Sequence, residues 1–251
     1  MKFGAVILFS LSLVFATGCA QRQNSASSGG AAARSNVEGI KAEAVDRMND
    51  SANILRELVN APDDGIPEFV LKDAKCVAVV PSMIKGGFVI GGKHGRGVAT
   101  CRTNNGWSAP AFFTISGGSW GAQIGAQAVD VVMMIMNAQG MQDLLSSKFQ
   151  LGGEGSVAAG PVGRQASANT DYKLQAQVLT YSRARGLFAG LDLSGAAIRP
   201  DEETTVAFYG KDVPFRLALS GELNPPRLSQ EFLASVRQSF QEARAASNNP
   251  Q

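Results

Sequence analysis

Glycine punctuates the middle of this chain, and its spacing limits what the chain can fold into. Apolar runs at residues 76–80, 88–90, 98–102, 111–115, 123–128 and 131–136 are separated by Gly, Asn or Ser clusters, the pattern of short strands joined by tight bends. Such strands predict an antiparallel sheet that curls strongly or closes on itself. The 28 glycines among 251 residues amount to about 11%, against an average near 7%.

Helices are expected on either side of this centre. Ser35 and Glu38 have capping-box spacing, and Val37, Ile40, Ala44, Met48, Ala52, Leu55 and Val59 recur at helical intervals up to Pro62. The polar face of this helix carries Glu38, Glu43, Asp46, Asp50 and Glu57 against Lys41, Arg47 and Arg56. A membrane-surface helix is ordinarily basic, so packing against the core is the favoured reading. A short helix is expected from Pro67 to about Ala74, another over 139–147, and a helical turn over 202–209. Further strands fall at 174–182 and 187–193. A closing helix at 227–246 has Leu228, Phe232, Val236 and Phe240 spaced four apart. With no linker inside 36–246, the expected fold class is α+β: one domain with a curled or barrel-like, mainly antiparallel sheet flanked by N-terminal and C-terminal helices, and a disordered tail at 247–251.

The first residues have a different character. Lys2 precedes an apolar stretch over 5–15, a length that suits a secretory h-region and is too short to span a bilayer. Ala16-Thr17-Gly18-Cys19 follows and resembles the bacterial lipobox. Residues 1–18 are therefore expected to be a lipoprotein signal peptide, with Cys19 acylated. The small, polar run that follows makes 19–35 a flexible tether. Ala20 in place of Asp suits the periplasmic face of the outer membrane.

Charge and chemistry-bearing residues narrow the function. Lys plus Arg total 23 and Asp plus Glu total 21, a formal charge of +2, too balanced for a nucleic-acid binder that neutralises phosphates. One His and three Cys weaken zinc enzymes, histidine-based catalysis and disulfide scaffolds, so no metal or cofactor is expected. Gly117-Gly118-Ser119-Trp120-Gly121 matches a nucleophile elbow, but the only histidine, His94, lies upstream and leaves Ser119 without a base in the required order. Ser82-Met83-Ile84-Lys85 matches S-x-x-K, yet Gly86 and Gly87 follow where a helix is needed. Gly87 to Lys93 matches part of a phosphate loop that continues into a strand rather than a helix. In a three-strand meander Cys76 and Cys101 would sit at opposite ends of non-adjacent strands, so buried free thiols are preferred and a disulfide is the alternative.

The ordered set Ala74-Lys75-Cys76-Val77-Ala78-Val79-Val80-Pro81, Lys85-Gly86-Gly87-Phe88, Gly95-Arg96-Gly97 and Trp107-Ser108-Ala109-Pro110 resembles the SYLF-domain family. Gly121-Ala122-Gln123-Ile124-Gly125, Asp130-Val131-Val132, Ala158-Ala159-Gly160-Pro161-Val162-Gly163-Arg164 and Tyr181-Ser182-Arg183-Ala184-Arg185-Gly186-Leu187-Phe188-Ala189-Gly190 extend the likeness over about residues 66–226.

The resemblance implies a non-enzymatic lipid-binding domain. Eukaryotic members bind phosphoinositides and in some cases actin, whereas bacterial members are often exported or lipidated, and no actin is expected in a bacterial envelope. The acidic balance of residues 37–59 departs from a basic, phosphoinositide-binding helix. Lys85, Lys93, Arg96 and Arg102 are the first candidates for meeting anionic head groups, with Arg164, Arg183 and Arg185 further ones; ordinary solvated charges are an equal alternative. The leading expectation is an envelope lipoprotein binding membrane lipids, the alternative an envelope protein-interaction or scaffold module.

Overall fold

A computed structural model describes residues 25–61, 65–146, 149–151, 157–162, 176–184, 187–191 and 193–247. Two units are distinguished, Met1–Asn36 and Val37–Gln251, and the second holds the sheet.

Helix α1 spans Ser25–Asn60. It starts ten residues before the expected capping box, within the stretch read as a tether. Ala31, Ala32 and Ala33 are strong helix formers, and the Ser35 hydroxyl donates to the Ala32 carbonyl from inside the helix instead of capping it. From Ala44 onward the apolar spacing holds: Ala44, Met48, Ala52, Leu55 and Leu58 are buried while Glu43, Asp46, Asp50 and Glu57 remain exposed, whereas Val37, expected on the same face, is exposed and Ile40 half-buried. Helix α2, Glu68–Asp73, follows Pro67 as expected.

The centre departs most from its sequence pattern. The six expected runs form two very long strands, β1 at Cys76–Thr103 and β3 at Ala111–Ile135, with the short β2 at Gly106–Trp107 in the turn between them. β1 and β3 pair antiparallel from Cys76↔Ile135 to Ala99↔Ala111, with register shifts between Val80 and Met83 and between Gly87 and Val89. Glycine here bends the strands without ending them, because a residue lacking Cβ tolerates local twist and close approach. Gly97 shows the need. A Cβ there would lie 2.7 Å from the Val79 carbonyl oxygen, on the opposite arm of the same strand.

The hairpin curls until its tip returns to its base. Arg102 N–H donates to the Lys75 carbonyl at 2.7 Å, and a disulfide joins Cys76 to Cys101 with their Cα atoms 3.9 Å apart. This corrects the preference for free thiols. That preference assumed a meander of separate strands; the two cysteines instead lie at opposite ends of one strand whose ends meet.

Helix α3, Ala138–Leu145, is capped by the Asn137 side chain, which accepts from Gly140 N–H at 2.8 Å. Strands β4 (Phe149–Leu151), β5 (Val157–Ala159), β6 (Val178–Ala184), β7 (Leu187–Gly190) and β8 (Ala196–Pro200) complete the sheet. β8 pairs with β3 over Phe113–Gly117, and β6 pairs with it over Asp130–Ile135. β4 adds to β8, β7 adds to β6, and β5 lies beside β6 in the one parallel pairing among the described residues. Helices α4 (Glu202–Tyr209) and α5 (Phe215–Ser220), a 3-10 turn at Arg227–Ser229 and helix α6 (Gln230–Ser247) end the fold. The architecture is α+β, with a nearly closed, mainly antiparallel, barrel-like sheet and helices at both ends.

Both faces of the sheet are covered. Val77, Val79, Phe112, Val132 and Met134 pack with Met48, Leu55, Phe232 and Phe240 of the helices. Ala78, Val80, Phe113, Val131 and Met133 fill the interior with Leu144, Ile198 and Leu219. Burial on two faces explains why 76–80 and 131–135 are continuous apolar runs without alternation.

Two outcomes follow for stability. Replacing Cys76 and Cys101 together with serine is expected to cost about 3 kcal/mol, the loop-closure contribution of a cross-link spanning 25 residues. Dithiothreitol should lower the melting temperature of the native chain and leave that of the double variant unmoved. Among the described residues the buried Tyr181 hydroxyl has no hydrogen-bond partner, and burial pushes its pKa above the ordinary tyrosine value. Removing an unsatisfied buried hydroxyl relieves its desolvation cost, so Tyr181→Phe is expected to raise stability by about 1 kcal/mol in urea unfolding.

Candidate functional site

The described cations among the sequence candidates are spread along the hairpin, and most are held by internal partners. Arg96, in the second half of β1, is partly exposed and faces three carboxylates: Glu43 of α1 at 3.4 Å, Asp201 at 3.5 Å and Glu203 of α4 at 3.9 Å. Asp201 is the centre of this group. Its carboxylate caps α4, accepting from Thr204 N–H at 3.1 Å and from the Thr204 hydroxyl at 2.8 Å. It also pairs with the buried Arg47 at 3.5 Å. Burial lowers the Arg47 pKa from its ordinary value; Asp201 opposes that shift and Arg96 adds to it. One carboxylate thus joins α1, β1 and α4.

Lys93 is buried, and its ammonium donates to the Ser194 carbonyl at 3.1 Å, fastening β1 to the turn before β8. Arg102 closes the tip of the hairpin. Its Nε donates to the Ala74 carbonyl at 2.8 Å and its Nη2 to the Leu71 carbonyl at 3.0 Å, satisfying acceptors at the C-terminal end of α2. The same guanidinium lies 5.0 Å from the Trp107 ring centroid and 4.9 Å from that of Phe240, a cation–π contact with two rings that themselves meet at 4.6 Å and join β2 to α6.

Arg183 of β6 sits at the other end, with Asp130 of β3. The Asp130 carboxylate accepts from Arg183 Nε at 3.0 Å and Nη2 at 2.7 Å. Its second oxygen accepts from Ser82 N–H at 2.9 Å. Ser82 stands within the register shift with φ 50°, in the left-handed region, a conformation that a non-glycine residue needs help to hold. Arg183 also pairs with Glu57 of α1. Arg96 and Arg183 thus meet α1 through Glu43 and Glu57, fourteen positions and roughly 21 Å apart along the helix. Lys85, half-buried and opposite Gln127 in the register, lies between these ends. The structure brings Arg96 to the Asp201 group and Arg183 to Asp130, and gathers no single cationic patch from these described residues. Cys19, Arg164 and Arg185 lie outside the described residues.

The sequence reading missed Asp130, Asp201 and Arg47 as organising residues. For Asp201 the signal was present, since Asp followed three positions later by Thr at a helix start is N-cap spacing. Asp130 is a lone charge inside an apolar run, which marks a partnered group. The motifs set aside as catalytic fall in strands: 117–121 lies inside β3 with no strand-to-helix turn, Ser82 is in a bulge, and 87–93 continues as β1.

These features define a class: an α+β domain built on one long, curled hairpin whose arms are clamped to the flanking helices by buried and half-buried ion pairs. Residues 116–239 match a family, Ysc84, described as a Las17-binding protein actin regulator. The SH3 domain-containing YSC84-like protein 1 of Rattus norvegicus is 35% identical over 199 residues, covering 76% of this chain and 58% of the relative. Protein YSC84 of Saccharomyces cerevisiae is 33% identical over 192 residues, 73% of this chain and 41% of that protein. LAS seventeen-binding protein 3 from the same yeast is 38% identical over 169 residues, 65% and 36% respectively. The chain belongs to the Ysc84, or SYLF-domain, family. It spans less than two thirds of the length of these curated relatives.

The Asp130 group gives a test. Asp130→Ala removes the acceptor of a strained backbone and strands Arg183, and is expected to cost about 2–3 kcal/mol in urea unfolding. Combined with Arg183→Ala, the loss should fall short of the sum of the single variants by at least about 0.5 kcal/mol, the mark of direct coupling.

Proposed function

We propose that this chain is a non-enzymatic, lipid-binding SYLF protein of a bacterial cell envelope, moored to the membrane by acyl chains on Cys19. The observation that carries the envelope reading is the buried Cys76–Cys101 disulfide. Disulfides persist in exported proteins and are rare in reducing cytoplasm, which agrees with an apolar leader ending in a lipobox-like cysteine. Lipid binding rests on membership of the family. The Las17 and actin named in the family's description are not assigned as partners of a chain read as exported to a bacterial envelope.

A second reading, an envelope scaffold that holds a protein partner, is favoured by the internal pairing of Arg96, Arg102 and Arg183, which leaves less positive charge for head groups. Vesicle flotation separates the two. The chain from residue 20 onward, which lacks both the apolar leader and the acylated sulfur, is expected to float with phosphatidylcholine vesicles containing phosphatidylglycerol. Failure to float with them or with neutral vesicles overturns lipid binding and favours the scaffold. Intact-mass measurement of the native chain should show thioether-linked acyl groups on residue 19, and an unmodified cysteine there overturns the anchor.

A further inference from the structure

The turn between β1 and β2 carries a dipeptide that occurs once in the chain, Asn105-Gly106. Asn104, Asn105 and Gly106 are all exposed. Neither asparagine has positive φ, and the left-handed residue is Gly106, with φ 116°. A Cβ placed at Gly106 would meet nothing within 4 Å, so the surroundings of the bond between the two residues are open to solvent. β2 is held to β1 by two residue pairs, Arg102↔Trp107 and Thr103↔Gly106. The Thr103 hydroxyl adds to them, accepting from Asn105 N–H at 3.3 Å and donating to the Gly106 carbonyl at 3.1 Å. A loop tip closed by so short a ladder opens locally far more often than the core does.

We propose that Asn105 is a self-modification site: its side-chain amide is lost as ammonia through a cyclic imide with Gly106, and the isoaspartate that follows loosens the closure of the hairpin. The only co-reactant is water. When solvent base takes the Gly106 N–H proton, the backbone nitrogen attacks Asn105 Cγ, a C–N bond forms, and the side-chain nitrogen leaves as ammonia. Water then opens the five-membered imide. Breaking its bond to the side-chain carbonyl gives aspartate on an unaltered backbone, and breaking its bond to the main-chain carbonyl gives isoaspartate, with one extra methylene in the backbone. Glycine admits this attack best, since it has no Cβ to crowd the ring. Asn104 shares the turn but is followed by a residue with a side chain. The extra methylene separates Gly106 from Thr103 and displaces Trp107, whose ring meets Phe240 and the Arg102 guanidinium. Arg102 in turn holds the Leu71, Ala74 and Lys75 carbonyls, so a change at the turn reaches the clasp that closes the hairpin.

The test incubates the native chain, folded in buffer and unfolded in urea, at mildly acidic and mildly alkaline pH. Peptide mapping of the folded chain is expected to find isoaspartate and aspartate at residue 105, with isoaspartate in excess and Asn104 unchanged. The rate should rise with pH, because the attacking nitrogen must first lose its proton. Asn105→Gln, whose longer side chain would have to close a six-membered ring, should convert at least tenfold more slowly. Absence of conversion in the folded chain overturns the proposal, whether or not the unfolded chain converts. The isoaspartyl form, separated by ion exchange, is expected to melt below the native chain, while Asn105→Asp, with the same charge on an unaltered backbone, keeps the native melting temperature. Equal melting of the isoaspartyl and native forms overturns the loosening, and an equal drop in Asn105→Asp overturns the backbone route to it.

Discussion

Everything in this fold follows from one hairpin that closes upon itself. The pairing from Cys76↔Ile135 to Ala99↔Ala111 commits two long stretches of backbone to a single ladder. Such a ribbon would present edges and apolar faces to water if it stayed open. Curling brings its tip back to Lys75 and Cys76, where one backbone hydrogen bond and one disulfide fasten it. The interior so formed is narrow. Gly97 sits where a side chain would strike the backbone at Val79, so the curl depends on the absence of a Cβ at the crossing.

Closure creates two apolar faces: α1, α2 and α6 cover one, and α3 and α5 pack on the other. Ion pairs then fix where the helices lie, since apolar burial alone is non-directional. Asp201 meets Arg47 and Arg96, and Asp130 meets Arg183, which reaches Glu57. The exposed members of these groups, such as Glu43 at 65% of its side-chain surface, contribute little energy, at most about 1 kcal/mol. Asp130 and Asp201 do more because each carboxylate also satisfies backbone N–H groups, one in a strained bulge and one at a helix start. Cationic side chains in this protein therefore act largely as internal fasteners.

Much of this was legible in the sequence. The apolar periodicity of residues 37–59 and 227–246 marked two helices packed on the core, and the family resemblance over 66–226 overlaps the matched segment 116–239. Strand content and curl were legible too, because glycine at close intervals among apolar runs has few other readings. Continuity was not. Glycine ends a strand in most contexts, and only the partner strand, itself glycine-rich at matching registers, shows that here it bends one. The same error hid the disulfide, whose geometry depends on the two ends of a 28-residue strand meeting in space. The role of Arg102 was hidden for a related reason. A guanidinium at a hairpin tip looks solvated in sequence, and its aromatic partners Trp107 and Phe240 come from β2 and α6, far apart along the chain.

The bend and the clamps are two consequences of one demand. Tight curling needs small residues at the middle of both strands, and the ion pairs that position the helices draw the charges of the hairpin toward its arms, to Lys93, Arg96, Arg102 and Asp130. What remains between them in the sequence is a stretch of glycine, alanine and aromatic residues with one lysine, of which Ile84, Gly92, Gly118, Ala126, Gln127 and Ala128 are exposed. A sequence cannot easily satisfy the curl and also place protective charges there, since long charged side chains at Gly87, Gly91, Gly118 or Gly125 would take the place of the residues that allow the backbone to turn.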